Sequence, residues 1–348
     1  MKLIWKEVLA CLMMGLMLPG TMLKMTAGDQ ADLMPALRET EAVVSPMAEP
    51  LKGNPQIPVR LPDGTVTRMD MEEYLVGVVL AEMPASFEGE ALKAQAVAAR
   101  TYAGKAHLRG GKHGDGSICT DSHCCQAYIS EVGYLGSGGT ELGIEKVRGA
   151  VYATRGQVLT YGGELIEATY FSCSGGSTED AKAVWGAEFP YLKAVESPGE
   201  EGAEYFKDTV IIPRERAEML LGMDLPENPA EWLGTVNRTP GSGVSTMEIG
   251  GRVFKGTELR TLLGLRSTAM EVQADDRGLV IETRGWGHRV GMSQYGADAM
   301  AVNGSTYEQI LLHYYKGTEL SQYVPPEGEA QPMEFTEDSQ PTVANETK

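Results

Sequence analysis

MEEYLVGVVLAEMP, residues 71–84, is the stretch from which the fold is read. Met71, Tyr74, Leu75, Val78 and Val79 recur at the i, i+3, i+4, i+7, i+8 spacing of a helix's buried stripe, and the next position on that stripe is Glu82. A carboxylate stands where a leucine is expected. Pro84 has no N–H to give and disfavours helical geometry at Met83, so the helix ends there and Glu82 falls in its last turn, against the core. The next stretch, ASFEGEALKAQAVAARTYAGKAHL, is rich in helix formers from Glu88 on, with Leu92, Gln95 or Ala96, Ala99, Tyr102 and Ala106 on one face. Alanines let another helix come close. A second helix is therefore expected to pack on the first and form one wall around Glu82, with Gln95 and Arg100 turned toward the same space. Two readings of Glu82 stand side by side: a structural carboxylate paired with Arg100 or capping a backbone N–H, and a general acid whose pKa is raised by burial.

The chain has 348 residues, 42% of them hydrophobic, enough for a core of domain size or larger. Its formal net charge of -18 argues against a phosphate-backbone binder, because nucleic-acid affinity is built from clustered Lys and Arg. An uncharged polymer or a protein partner fits better. Lys2 and Lys6 precede an uncharged run from Val8 to Leu23, so residues 1–25 are read as a membrane anchor or signal segment. The uncleaved anchor is preferred, since no small-x-small cleavage site follows, and the basic end lies inside the cell. Residues 26–55 read as a linker and 325–348 as a disordered acidic tail, leaving 56–324 as a single globular domain.

Three further constellations lie inside that domain. HGDGSICTDSHCCQAY places His113, Cys119, His123, Cys124 and Cys125 within 13 positions, a density of thiol and imidazole that suits tetrahedral zinc. Four possible ligands leave no open position, so a structural site is favoured over a catalytic one; the alternative is a disulfide from Cys119 to Cys124 or Cys125. In EATYFSCSGGSTEDAKAVWG, alternation from Leu165 to Phe171 predicts a strand, and Ser174, Gly175 and Gly176 a turn that exposes hydroxyls and amides to a sugar. Cys173 reads as a buried free thiol. IETRGWGHRVGMSQYGADAMAVNGSTYEQILLHYYKG runs from a strand at Gly278–Thr283 into a Gly-rich loop with Trp286 and His288. A helix is expected to start near Met292, and Ser305 with Glu308 to form a capping box for the last helix. TPGSGVSTMEIGGRVFKGTELRTLLGL predicts a hairpin from Val244 to Phe254, turning at Gly250 and Gly251, then a helix from Gly256 to Leu263. The fold class is α+β: a helix pair carrying Glu82, packed with β-hairpins and a β-rich arm.

EYLVGVVLAEMPASFEGEALKAQAVAARTY, CTDSHCCQAY, TYFSCSGGSTE and GWGHRVGMSQYGA together resemble the stage II sporulation protein D family of endospore-forming bacteria, over about residues 56–318. The resemblance implies a membrane-anchored lytic transglycosylase that cuts peptidoglycan during engulfment. It would act after the stage II sporulation protein P amidase has stripped stem peptides, with stage II sporulation protein M as a further partner. The catalytic domain would face the space between mother cell and forespore, outside the cytoplasm, on the mother-cell membrane. The family's catalytic glutamate falls on Glu82, and its cleft tyrosine and serine on Tyr170 and Ser174; Gln95, His288 and Gln294 are placed in the cleft with them. Its zinc ligands fall on His113, Cys119, Cys124 and Cys125. The position of Cys124 is commonly a histidine in the family, which leaves Cys124 and His123 as alternatives. Arg289 stands where the family motif usually has Gly. The same domain occurs in amidase-enhancer proteins, so the rival function is a glycan-binding module that recruits or activates an amidase; a third is a zinc-dependent amidase or peptidase.

A glycosidase ordinarily uses two carboxylates. Only Glu82 lies in a plainly protected context. A transglycosylase works with one, acting first as acid and then as base, which requires a pKa near the working pH.

Overall fold

The computed structural model describes residues 54–325; the expected anchor, nearly all of the linker and the tail beyond Pro325 lie outside them. Among the described residues, no helix is long and apolar enough to cross a membrane.

Strand Gln56–Arg60 pairs antiparallel with Val66–Asp70, and the Asp70 carboxylate then accepts the N–H groups of Glu72 at 2.9 Å and Glu73 at 3.2 Å. This satisfies two of the donors that a helix start leaves without partners, so α1 runs Met71–Glu82. It stops where Pro84 dictates. Met83 is extended and its N–H reaches back to the Val79 carbonyl. Helix α2 follows at Gly89–Arg109 and ends on Gly110 in the left-handed conformation that glycine tolerates.

The pair forms as the sequence predicts, but neither helix has a solvent face of normal width. In α1, Glu72, Val76, Gly77 and Leu80 are buried beside the expected stripe, and α2 buries residues on every side between Ala91 and Gly104. Both helices pack on helix Glu141–Ala153, and α2 also packs on helices Gln294–Val302 and Tyr307–Tyr314 and on strand Gln157–Tyr161. A helix enclosed in this way is apolar nearly all round.

The expected contact between Arg100 and Glu82 is not made. Arg100 is fully buried and pairs with Glu72 at 2.5 Å, donating also to the carbonyls of Val151 and Gln157 at 3.1 Å. Glu72 and Glu82 lie ten residues apart on α1, about 15 Å at 1.5 Å per residue. The arginine neutralises the carboxylate at the far end of the helix.

A second hydrophobic core is built by residues between Ile212 and Ile281. Strand Gly278–Arg284 is the centre of one antiparallel sheet, with Lys207–Ile212 on one side and Met270–Asp275 on the other. Leu233–Arg238, Val244–Ile249 and Arg252–Lys255 form another, which contains the expected hairpin turning at Gly250 and Gly251, both at positive φ. Helix Gly256–Leu262 follows. This is the β-rich arm of a mixed α+β fold.

Three expected elements shift. Leu165 to Phe171 is not one strand: Glu164–Leu165 pairs back on Gln157–Tyr161, whereas Tyr170–Phe171 runs parallel to Met292–Ser293, because the chain crosses between two small sheets. That pairing occupies Met292 and Ser293, so the next helix starts at Gln294 with Ser293 as its cap. The last helix, Tyr307–Tyr314, is capped by Thr306 with Gln309, one position beyond the expected Ser305 and Glu308.

Candidate active site

Glu82, at the C-terminal end of α1, is half-buried and hydrogen-bonded on both oxygens. Oε1 accepts the Ala127 N–H at 3.0 Å and Oε2 accepts Gln294 Nε2 at 3.3 Å. Burial pushes its carboxyl above the ordinary glutamate value, against the smaller downward pull of the Ala127 and Gln294 bonds. No cation pairs with it among the described residues, and the negative end of the helix dipole also favours the protonated form.

Gln126, next to Ala127, organises the neighbouring tyrosines. Its Oε1 accepts from the Tyr74 hydroxyl at 3.3 Å, and its Nε2 donates to the Tyr170 hydroxyl at 2.8 Å. Burial, then the nearby Glu82 charge, raises the Tyr170 phenol well above its ordinary value, so it stays neutral. Its own proton is committed to no acceptor among the described residues. The segment is held close by a glycine inside α1: the Ile129 N–H donates to the Gly77 carbonyl at 3.1 Å. A Cβ on Gly77 would lie 2.3 Å from Tyr128 Cε2 and 2.7 Å from the Ile129 carbonyl oxygen. Gly77→Ala is therefore expected to destabilise the protein by about 1–3 kcal/mol in a denaturant titration, although alanine is the better helix former. Unchanged or higher stability would contradict this packing.

His113, Cys119, Cys124 and Cys125 converge, with one ligand atom from each lying within 4.8 Å of all the others. The four cysteines among the described residues are free thiols, so the disulfide alternative is not formed. His123 is 95% exposed and turns toward Asp121, away from the group that Cys124 joins. Three thiols and an imidazole are a donor set that fits zinc.

Other expected site residues sit differently. Ser174 is fully buried, and its Oγ donates to Glu200 at 2.9 Å rather than facing an open cleft. Glu200 also takes the N–H groups of Ser174 and Gly175, at 2.7 and 3.1 Å, and the Ser197 hydroxyl at 2.5 Å. The turn expected to offer these donors to a sugar uses them on an internal carboxylate. Cys173 lies against the same group as a buried free thiol. Gln95 is fully buried, its amide has no partner among the described residues, and it makes no bond to Glu82. His288 accepts the Val290 N–H at Nδ1, and its ring packs on Phe171 at 5.6 Å and Trp185 at 5.3 Å. Burial, then the charge of Arg260, pulls its pKa down to about 4, so it is neutral at physiological pH. Of the expected residues, the structure gathers Glu82, Tyr170 and Gln294.

A sequence model described as stage II sporulation protein matches residues 63–161, the span that contains both helices and the cysteine cluster. Stage II sporulation protein D of Bacillus subtilis (strain 168) is 40% identical over 282 residues, covering 79% of this chain and 82% of that protein. The chain belongs to the stage II sporulation protein D family. The stage II sporulation protein D of Bacillus amyloliquefaciens is 38% identical over 294 residues, 82% and 83% of the two chains. The amidase enhancer of Bacillus subtilis (strain 168) is 30% identical over 307 residues, 72% of this chain and 40% of that protein. In this member of the stage II sporulation protein D family, sequence reading missed Gln126 and Ala127. Their position directly after Cys125 was the available signal, since they leave the loop in which His113 and the three cysteines converge.

Proposed function

We propose that the chain is a peptidoglycan lytic transglycosylase acting in sporulation, with Glu82 as acid and then base. The observation that carries this reading is a carboxylate that is desolvated, held on both oxygens and, among the described residues, free of any cation. The protonated Glu82 gives its proton to the glycosidic oxygen after N-acetylmuramic acid as the C1–O bond breaks and N-acetylglucosamine leaves. The resulting carboxylate then takes the proton of that sugar's own 6-hydroxyl as O6 attacks C1. The products are a 1,6-anhydro end and a free alcohol, and no water is consumed. No second carboxylate acts on Glu82 among the described residues, which suits a mechanism in which the 2-acetamido group stabilises the cation. The Ala127 and Gln294 bonds keep the carboxylate aimed through both proton transfers, and the neutral Tyr170 hydroxyl supplies a donor to the sugar.

Product analysis in ¹⁸O-labelled water tests this directly. Unlabelled 1,6-anhydro ends are expected from peptide-stripped strands; labelled reducing ends would mean hydrolysis. Similarity to an amidase enhancer favours a second reading, a glycan-binding module that activates an amidase. It predicts bound strands and no new ends.

On the first reading the chain works with glycan strands and the stage II sporulation proteins P and M. Its N-terminal segment would hold it on the mother-cell membrane with the described domain outside the cytoplasm, during engulfment. Zinc held by His113, Cys119, Cys124 and Cys125 would be structural: it closes the loop whose next residues, Gln126 and Ala127, meet Tyr170 and Glu82. Elemental analysis is expected to find about one zinc per chain, lost in Cys125→Ser with a fall in Tm and kept in His123→Ala. Loss of zinc from His123→Ala would contradict the ligand set.

A further inference from the structure

Arg260, on helix Gly256–Leu262, is a half-buried cation that no carboxylate among the described residues neutralises. Its side chain has no hydrogen-bond or ion-pair partner among the described residues, and burial alone lowers its pKa. In a chain with 48 Asp and Glu against 30 Lys and Arg, carboxylates to pair it are abundant, and desolvating a guanidinium without one is costly. An unneutralised arginine of this kind suits a ligand that brings the missing charge.

Arg260 lines a cavity of about 650 Å³ between the arm and the first core, together with Trp185, Arg266, Trp286 and His288. No Asp or Glu is among its lining residues. Arg266 is already paired with Asp208 at 3.0 Å and lies over the Trp286 ring at 4.8 Å, and His288 is neutral, so Arg260 is the charge left for a ligand. Trp185 and Trp286 remain 43% and 41% exposed. The exposed part of Trp185 offers apolar surface for a sugar ring, Trp286 being taken up by Arg266 and by Tyr205 at 4.6 Å, and the volume lies in the usual range of ligand pockets. The Phe171 ring, against His288, belongs to the same short strand as Tyr170, so one strand of the fold joins this cavity to the surroundings of Glu82.

We propose that this cavity is a subsite for a carboxylate-bearing sugar, whose charge Arg260 pairs while a tryptophan face carries the ring. The identity of the sugar rests on the proposed function. In a peptidoglycan strand the sugar carboxylate is the lactyl group of N-acetylmuramic acid, and it is ionised only when no stem peptide occupies it as an amide. Arg260 thereby reads peptide-free muramic acid. Carboxylates of a stem peptide have the same chemistry, and the test separates the two sources.

Isothermal titration calorimetry on the full chain carrying Glu82→Gln, to prevent cleavage, compares three probes: a peptide-free muramyl tetrasaccharide, the same tetrasaccharide with stem peptides, and chitotetraose, which lacks the lactyl group. The peptide-free muramyl probe is expected to bind at least about tenfold more tightly than either of the others. Adding Arg260→Gln is expected to bring its affinity down to that of chitotetraose, and Arg260→Lys to retain part of the preference. Equal affinities, failure to bind any probe, or a preference that survives Arg260→Gln would overturn the subsite. Tighter binding of the peptide-bearing probe would overturn the sugar as the source of the charge. A thermal melt checks that Arg260→Gln is folded; if it is not, Arg260→Lys carries the comparison, and an undiminished preference in it counts against the subsite. Binding is read without cleavage, so its failure leaves the product analysis standing, and absence of cleavage leaves the preference measurable.

Discussion

Glu82→Gln is expected to lower the rate of glycan cleavage by about 10²–10⁴-fold, the range that a positioned acid and base contributes, with the fold unchanged. The amide keeps an oxygen for the Ala127 N–H and has nearly the same volume, but it can neither give nor take the proton. The same residue predicts a pH dependence. Burial raises the folded-state pKa of Glu82 above the ordinary glutamate value, so the folded protein holds that proton more tightly than the unfolded chain. The stability it contributes is fully present below the unfolded pKa and is lost as pH rises through the folded pKa. Denaturant titrations at neutral pH should therefore find Glu82→Gln at least as stable as the unmutated protein. Cleavage by the unmutated protein should decline as pH rises past the same folded value, because the first step needs the acid form. A variant rate within a few-fold of the original would remove Glu82 from the chemistry.

Arg289→Gly is expected to destabilise the protein by about 1–4 kcal/mol even though glycine suits the backbone conformation there. Arg289 has φ 63°, in the left-handed region where a side chain costs about 1–2 kcal/mol, and glycine would relieve this. Its side chain more than offsets that cost. Fully buried, it donates from Nε to the Ser174 carbonyl at 2.8 Å and from Nη2 to the carbonyls of Ser177 at 2.7 Å and Gly241 at 2.8 Å. It also pairs with buried Glu179 at 3.3 Å. Removing one member of a buried pair costs about 3–5 kcal/mol, because the other is left as an uncompensated charge. Among the described residues, the Glu179 carboxylate would retain the Thr239 hydroxyl and the Gly243 N–H. Adding Glu179→Gln to Arg289→Gly should recover part of the loss by removing that charge. A stability gain in the single variant would mean that backbone strain outweighs the network.

What could be read in the sequence follows from how local each cause is. The end of α1 was legible because Pro84 acts on its immediate neighbours, and the cluster of His113, Cys119, Cys124 and Cys125 because its members fall within 13 positions. The enclosure of α2 was not legible, since an alanine-rich helix reads alike whether it touches one partner or several. Choosing between Glu72 and Glu82 as the partner of Arg100 required knowing how far along α1 the second helix crosses it. The turn at Ser174 reads as a donor to ligands until Glu200, 26 residues later, is folded against it. Ala127 gives no signal at all, for its contribution is a backbone N–H. Arg260 looks in sequence like any helical arginine; only the absence of a neighbouring carboxylate among the described residues distinguishes it.

Mass spectrometry of the ends released from peptide-stripped glycan strands, by the purified protein and by Glu82→Gln side by side, is the decisive measurement. Fragments with 1,6-anhydro-muramyl ends should appear with the unmutated protein and be absent with the variant. Strands that are bound by both proteins and cut by neither would contradict a catalytic Glu82 and make the chain a glycan-binding partner of an amidase.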